Sequence, residues 1–400
     1  MTYLGEIALI LFATTIAGAL SQRIGIPSVI GQLLVGILLG PALLNWLQPG
    51  ELVHVGSEIG VIILMFMAGL ESDLKLLKRY FKPAISVATL GVIVPMVCFY
   101  IYGIVMHQSF ERAVFWGIVF AATSVSISVE VLREFGKLNS KEGATILGAA
   151  VVDDIMAVLI LSIFVSMFSS GQSGAPNLAI SLAEQAAYFV MVFVIIRWVA
   201  PVLIKLFERL PVPQAVPIMS LVICLGMAYL ADLTGLSAVI GAFFAGIAVA
   251  QTNAHEEVET NIAPIGYAFF VPIFFVSVGL EMRFDHFWSN LGLILGMTIV
   301  AILSKLIGGG LGAKLLGFNF HSAYIVGAGM VSRGEMALII AQIGYQAKLL
   351  HPNLYSELIV VIVLSTILAP LLLKDGIERG GQVKECVRKR SDRVGKVLQA

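Results

Sequence analysis

Gly25-Ile-Pro-Ser-Val-Ile-Gly31 and Gly235-Leu-Ser-Ala-Val-Ile-Gly241 are two copies of one pattern, 210 residues apart in a chain of 400 residues. The triplet Gly69-Leu-Glu71 returns as Gly279-Leu-Glu281 at the same offset. Two separate matches at one offset indicate an internal repeat rather than a chance likeness of glycine-rich segments. The repeat is therefore the first guide to the architecture.

The composition is that of an integral membrane protein. Hydrophobic residues make up 58% of the chain and charged residues 12%, and the mean hydropathy is +0.96. Globular proteins carry roughly 25% charged residues. Nearly uncharged runs of about 18 residues or more, long enough to cross a bilayer, recur from end to end, which excludes an ordinary soluble protein. We predict thirteen transmembrane helices at about 3–20, 27–44, 53–71, 83–106, 113–133, 142–168, 178–208, 214–231, 236–252, 262–280, 287–313, 320–346 and 354–373.

The repeat units are then helices 1–6 and 8–13, with helix 7 as a linker. Because equivalent helices are seven spans apart, and seven is odd, the two halves have opposite orientations in the membrane. Inverted repeats are typical of secondary transporters with a site near the bilayer midplane. We expect an all-α membrane domain (1–375) made of repeat one (about 1–170), the linker helix (about 178–208) and repeat two (about 212–375), followed by a basic tail (376–400).

Basic residues predict the orientation. With the N-terminus outside, 19 of the 25 Lys and Arg residues fall on the cytoplasmic side, eight of them at the C-terminal end, and only three fall outside. This asymmetry agrees with the positive-inside rule. We expect a multi-pass protein of the cell (inner) membrane whose tail is cytoplasmic.

Two adjacent acids, Asp153 and Asp154, lie about midway along the predicted helix 142–168. A charged side chain at the centre of a membrane helix costs roughly 2.5–3.5 kcal/mol on insertion scales, so folding alone gives no reason to keep two. Neighbouring residues on a helix point about 100° apart. One carboxylate can therefore face a basic partner while the other faces a water-filled cavity. A buried ion pair that serves only packing is the alternative.

Lys305 is the expected partner because it lies in the middle of a predicted span, where a lone lysine should pair or lose its charge. Near Asp153 or Asp154 it could alternate between ion pair and free amine as protons and cations exchange. A lysine that extends to the membrane surface is the alternative.

Helices 5 and 12 are predicted to be interrupted. Thr123-Ser124 corresponds to Arg333-Gly334 at the repeat offset, and both neighbourhoods are rich in small and polar residues. Interrupted helices at equivalent positions point to a transporter's site. We expect Thr123 and Ser124 to offer oxygens to a cation, and Arg333 with Glu335 to balance the half-helix ends. Alternatively, the hydroxyls bond only to their own helix backbone.

Together these motifs resemble the monovalent cation:proton antiporters, in particular the NapA- and GerN-like sodium/proton exchangers of the second cation:proton antiporter family. The likeness covers nearly the whole chain. It rests on Gly40-Pro41, Phe66-Met-Ala-Gly-Leu-Glu71, Ala122-Thr-Ser124, Val152-Asp-Asp154, Ser237-Ala-Val-Ile-Gly241, Phe275-Val-Ser-Val-Gly-Leu-Glu281, Lys305 and Val331-Ser-Arg-Gly-Glu335. The chain departs from the family at Val125, where many relatives have proline.

The resemblance implies a homodimer with a rigid dimerisation domain and a mobile six-helix core. It implies that Asp154 is the main cation- and proton-binding carboxylate and that Asp153 pairs with Lys305 when no cation is bound. It further implies electrogenic exchange of two protons for each sodium ion. We expect no cofactor and neither nucleotide nor nucleic acid as a partner.

We therefore expect a secondary active sodium (or lithium)/proton antiporter, not an enzyme, in which cation and protons compete for the two aspartates as the protein alternates its access. A potassium/proton antiporter of the same fold is the main alternative. A cation channel would need rings of pore-lining groups. An intramembrane aspartyl protease needs two carboxylates that share a proton across a water, which adjacent residues of one helix cannot provide.

Overall fold

The computed structural model describes the backbone of residues 3–168, 178–282, 290–346, 350 and 352–397. The side chains of Glu335 and of all residues after 379, among others, lie outside the description. Regular structure in the described ranges is entirely helical. The helices are α1 (Tyr3–Arg23), α2 (Ser28–Leu39), α3 (Glu51–Leu70), α4 (Leu74–Arg79), α5 (Phe81–Val105), α6 (Phe110–Ala121), α7 (Val125–Glu134), α8 (Lys141–Phe168), α9 (Leu178–Val194), α10 (Ala200–Phe207), α11 (Ala215–Leu233), α12 (Ala238–Ala250), α13 (His255–Ile265), α14 (Val271–Leu280), α15 (Leu291–Leu315), α16 (Phe320–Gly329), α17 (Glu335–Gln346) and α18 (Pro352–Val397).

Each of the thirteen predicted spans corresponds to one helix or to consecutive helical segments. Short π-helical stretches, Ile195–Val199 and Gly266–Phe270, join α9 to α10 and α13 to α14. By length and composition, nine helices in the described part of the chain are able to cross a membrane, and α2 and α12 are shorter apolar helices. The last helix, α18, does not end where the tail was expected to begin, at residue 376. It continues without a break to Val397.

The second span is shorter than predicted. The sequence predicts a span over 27–44, whereas α2 ends at Leu39. Gly40 is extended, with φ −79° and ψ −174°, and it precedes Pro41, a position from which the α conformation is disfavoured. The chain therefore turns earlier than hydropathy alone indicates.

Helix starts recur at the offset seen in the sequence. Equivalent helices begin 210 residues apart at Ser28 and Ala238, Phe81 and Leu291, Phe110 and Phe320, and Val125 and Glu335. The first glycine of each repeated motif is left-handed, Gly25 with φ 75° and Gly235 with φ 74°. Glycine adopts this conformation at little cost after a helix end. The internal repeat is therefore a structural repeat of six spans in each half.

Glycines allow helices of the two repeats to cross closely. A Cβ atom at Gly36 of α2 would lie 2.8 Å from the Cα of Gly279 in α14. The equivalent crossing joins Gly69 of α3 to Gly246 of α12, where a Cβ on Gly69 would lie 3.1 Å from the Cα of Gly246. Small residues at such contacts let membrane helices pack backbone to backbone.

The helices form two bundles, and each bundle takes three spans from each repeat. The scaffold bundle comprises α1–α3 and α11–α14, while the core bundle comprises α5–α8 and α15–α18. The most extensive packing within the core bundle joins α5 to α15, and within the scaffold bundle it joins α3 to α12. Contacts between the bundles are fewer, and they include α3 with α7 and α2 with α18.

Candidate ion-binding site

The core bundle contains two interrupted helices that meet at their breaks. The helix of the fifth span stops at Ala121 and resumes at Val125, and that of the twelfth stops at Gly329 and resumes at Glu335. The Ser124 amide donates a hydrogen bond to the Ser332 carbonyl at 2.8 Å, and the Ser332 hydroxyl donates one to the Ser124 carbonyl at 2.5 Å. The two unwound segments thus satisfy part of each other's backbone. The break occurs although residue 125 is valine rather than proline.

Arg333 lies fully buried beside this crossing. Its guanidinium donates hydrogen bonds to the carbonyls of Phe120 at 3.0 Å, Ala301 at 2.8 Å and Val331 at 2.9 Å. Phe120 belongs to the last turn of α6, where carbonyls lack helical partners and the helix dipole is negative. The cation at position 333 therefore offsets the partial charge of a half-helix end. Glu335, its expected companion in charge balance, has a side chain outside the described residues.

Asp153 and Lys305 form an ion pair in the interior of the core bundle. The Lys305 Nζ atom donates a hydrogen bond to Asp153 Oδ1 at 3.1 Å, and both residues are 0% exposed. Arg333 also interacts electrostatically with Asp153. Each partner of a buried ion pair compensates the desolvation of the other, so removal of one leaves an expensive unpaired charge.

Asp154 faces a different environment from Asp153. It is partly exposed and lines a small cavity of about 20 Å³ between α8, the unwound segment of the fifth span and the scaffold helices α3 and α12. Polar atoms reach this cavity from Thr123 and Ser126 as well. Both hydroxyl oxygens are buried and have no hydrogen-bond partner among the described residues. Adjacent acids thus have separate environments, as the 100° rotation between helix neighbours requires.

The cavity presents the donor set of a hard monovalent cation. One carboxylate and two hydroxyl oxygens are oxygen ligands, which hard cations prefer over nitrogen or sulfur. Within the described residues, no three His, Cys, Asp or Glu side chains converge as they would at a transition-metal site. A cation bound at Asp154 would therefore complete its shell with carbonyl and water oxygens.

The hydroxyl expected at Ser124 is not in the lining of this cavity. Ser124 is buried at the crossing, where its backbone amide is hydrogen-bonded to Ser332. Ser126, two residues further along the chain, lines the cavity instead. Ser126 was not predicted from the sequence. Its signal was the start of α7 at Val125, because a residue in the first turn of a half-helix points into the space left by the break.

Each charged residue of the site has an uncharged residue at the equivalent position of the other repeat. At the offset of 210, Lys305 corresponds to Pro95 and Arg333 to Thr123, whereas Asp153 and Asp154 correspond to Val363 and Leu364. The two repeats share a fold, but the charged residues of the site do not recur. Residues of both repeats therefore form this candidate site together.

A membrane-embedded acid pair at the crossing of two interrupted helices, inside inverted repeats, defines a secondary transporter. Its family follows from comparison with known proteins. The profile described as "Sodium/hydrogen exchanger, transmembrane" matches residues 8–374. The chain belongs to this sodium/hydrogen exchanger family, which is a family of transporters.

Two relatives align over almost the whole chain. A protein of Enterococcus hirae named "Na(+)/H(+) antiporter" is 56% identical over 374 residues, which cover 94% of this chain and 98% of the relative. The "Na(+)/H(+)-K(+) antiporter GerN" of Bacillus cereus is 44% identical over 370 residues, covering 92% of this chain and 95% of the relative.

A solved structure has the same fold. The sodium proton antiporter MjNhaP1 from Methanocaldococcus jannaschii matches with a TM-score of 0.71 at 17% identity, over 94% of this chain and 96% of that chain. At this identity the likeness concerns the fold alone.

Proposed function

We propose that the protein exchanges sodium ions for protons across the cell membrane by alternating access, with both ions competing for Asp154. The observation that carries the proposal is the separation of the two acids. Asp153 is paired with Lys305 at 3.1 Å, while Asp154 lines a cavity with two hydroxyl groups that lack partners in the described structure. The family and the printed names of the relatives at 56% and 44% identity support it.

Competition at one carboxylate couples the two fluxes without ATP. A bare carboxylate is costly to carry through a low-dielectric interior, so the core bundle moves more readily when Asp154 holds a cation or a proton. The same carboxylate cannot hold both. Each movement with sodium in one direction must therefore be balanced by a movement with protons in the other.

Lys305 gives the exchange its electrical character in this proposal. A sodium ion that also attracts Asp153 competes with the Lys305 ammonium, and the lysine then loses its proton or its partner. One cation would thus displace a proton from Asp154 and a second from Lys305. Electrogenic exchange of two protons per sodium ion follows, with lithium as an equivalent cargo.

The remaining features of the proposal concern the assembly. We infer an inner-membrane protein with the N-terminus outside and the C-terminal tail in the cytoplasm, on the distribution of basic residues. We infer a homodimer formed by the scaffold bundle, with the core bundle as the moving part. No cofactor or nucleotide takes part, since coupling at a shared site needs neither.

Potassium is a second candidate cargo. The relative GerN, at 44% identity, is named as a sodium/proton–potassium antiporter. Carboxylate and hydroxyl oxygens bind sodium and potassium alike, and the cavity contains both ligand types. Transport in the presence of each ion separately distinguishes the two.

Asp154→Asn tests the proposal. The amide keeps the size of the side chain but does not carry the charge or take up the proton. In proteoliposomes, we expect sodium-driven proton movement to fall at least about a hundredfold, the magnitude typical of a lost proton-transfer group. Asp232, an exposed aspartate at the end of α11, provides the matched control. Asp232→Asn should retain wild-type exchange, whereas full activity of Asp154→Asn would defeat the proposal.

A further inference from the structure

A partly buried carboxylate that the proposed mechanism does not use lies on α7. Glu130 is partly exposed, but one of its carboxylate oxygens, Oε2, is buried and makes no hydrogen bond to any described residue. A buried carboxylate oxygen without a hydrogen-bond donor is costly. It persists in a half-helix that starts at the cation cavity, which indicates a role other than packing.

Helix geometry puts Glu130 between the cavity and the end of α7. Ser126, which lines the Asp154 cavity, lies four residues before it, and Arg133, which lines an open cleft, lies three residues after it. Residues spaced by three and four share one face of a helix. Ser128 lies on the opposite face, where its hydroxyl donates to the Gly329 carbonyl at 2.6 Å. One polar face of α7 thus extends from the Asp154 cavity to the cleft beside Arg133.

Glu130 is surrounded by acidic groups and by one arginine, and the arginine already has other partners. On its own helix it interacts with Arg133 and Glu134, across the bundle boundary with Glu71 of α3, and from the π-helical stretch with Tyr267. Arg133 is already engaged, because its Nε donates to Glu71 Oε1 at 2.8 Å and its guanidinium lies 3.7 Å over the Tyr267 ring.

Hydroxyl groups extend the path on both sides of Glu130. The Ser126 hydroxyl and the Tyr267 hydroxyl are buried, and neither has a partner among the described residues. Hydroxyls both donate and accept, so they pass protons between a water and a carboxylate. Because Arg133, Lys137 and Lys141 follow on the same connection, the positive-inside rule assigns this end of α7 to the cytoplasm.

We propose that Glu130 is the proton relay between Asp154 and the cytoplasm. The proton that leaves the Asp154 carboxyl group passes by way of the Ser126 hydroxyl and water to the Glu130 carboxylate, and from there to water in the cleft beside Arg133. Glu130 transfers protons rather than sodium ions, because Arg133 lies beside it and no three His, Cys, Asp or Glu side chains of the described residues converge as they would around a metal ion. The proposal rests on the proposed sodium/proton exchange.

Dependence on mobile buffer distinguishes a relay from a structural residue. Proteoliposomes with a fixed pH gradient take up radioactive sodium, and the initial rate is measured at one pH with a dilute and with a concentrated buffer that does not cross the bilayer. Wild type should be insensitive to the buffer. Glu130→Gln should be about tenfold slower in dilute buffer and recover in concentrated buffer, because a mobile base replaces the missing proton acceptor. Its half-saturation by sodium should stay unchanged.

Glu134→Gln is the matched control, since Glu134 is the next acid on the same face but is exposed and bonded to Ser28. It should show no buffer dependence. Glu130→His provides a second variant: near neutral pH its rate in dilute buffer should become steeply pH-dependent, as the imidazole titrates.

A Glu130→Gln rate equal to wild type in dilute buffer overturns the relay. So does a loss that buffer does not restore. An inactive wild type would instead contradict the sodium/proton exchange itself, so the two failures are distinguishable.

Discussion

At the residue scale, the two aspartates show how one helix separates two roles. Asp153 and Asp154 are neighbours in sequence, but the first is 0% exposed and paired with Lys305, while the second lines the cavity. A rotation of about 100° per residue is enough to produce this difference. In the proposed mechanism, Asp153 pairs with Lys305 while Asp154 binds the transported ion.

This separation predicts the effect of removing the lysine. Lys305→Ala leaves Asp153 buried without its ion-pair partner, which costs about 3–5 kcal/mol when the acid remains charged. We expect a marked fall in the thermal unfolding temperature of the purified protein. The double variant Asp153→Asn/Lys305→Ala removes both charges and should recover most of the loss. A double variant that is less stable than Lys305→Ala alone would contradict a pairing role for the lysine.

Thr123 belongs to the same scale, because its hydroxyl oxygen faces the Asp154 cavity without a described partner. Thr123→Val keeps the shape and removes the oxygen. If that oxygen is a cation ligand, the sodium concentration for half-maximal exchange should rise about fivefold to tenfold, which corresponds to the loss of one polar contact with a net contribution of about 0.5–1.5 kcal/mol. Maximal exchange should stay close to that of wild type. An unchanged sodium dependence would remove Thr123 from the binding site.

At the element scale, the sequence repeat predicted more than the count of helices. The offset of 210 locates the starts of α2 and α12, and it pairs the interruptions of the fifth and twelfth spans. These features could be predicted because glycine, proline and small polar residues act locally on the backbone. The cavity lining was harder, because it depends on packing between distant helices. Ser126 gave no signal apart from its place just after the helix interruption, and Glu130 gave none apart from its place on a polar helix face.

The same limit applies to Glu71. From sequence, a glutamate that closes a span is either a gating group or, more simply, a helix-end charge. In the structure its carboxylate joins the scaffold bundle to Arg133 of the core bundle, and Asn139 donates a hydrogen bond to the Glu71 carbonyl at 2.7 Å. The partner lies 62 residues away in sequence, so no local pattern could identify it.

Where α3 crosses α12, we expect the stability of the protein to be sensitive to the addition of a single methyl group. A Cβ at Gly246 would overlap the carbonyl oxygen of Phe66 and lie 2.6 Å from the Leu70 amide nitrogen. We expect Gly246→Ala to destabilise the protein by about 1–3 kcal/mol, as for other overpacked sites. Gly226 of α11 is the control, because a Cβ there meets no atom within 4 Å. Gly226→Ala should be neutral or stabilising in the same thermal unfolding measurement.

At the scale of the whole molecule, the described polar contacts between the bundles concentrate at one end. Arg133 pairs with Glu71 at 2.8 Å, the Glu134 carboxylate accepts from the Ser28 hydroxyl at 3.0 Å, and Lys374 donates to the Gly25 carbonyl. In the proposed orientation this end faces the cytoplasm. The contacts hold the core bundle against the scaffold bundle at this one end.

Movement of the core bundle must break these contacts, and this requirement predicts the outcome of cross-linking. In a background without native cysteines, a short bifunctional methanethiosulfonate, which forms a disulfide with each cysteine and releases methanesulfinate, should join Glu71→Cys to Arg133→Cys across the bundle boundary. Exchange should then fall at least about tenfold, because alternating access is a rigid-body movement of one bundle against the other, and reductant should restore it.

The matched control stays within one bundle. Ser57 of α3 and Ser277 of α14 have hydroxyl oxygens 2.6 Å apart, and both belong to the scaffold bundle. The same linker between Ser57→Cys and Ser277→Cys should leave exchange intact, since those helices move together. If both cross-links stop exchange, the loss does not report movement between the bundles. If neither does, the boundary drawn between the scaffold and core bundles is not where the protein moves.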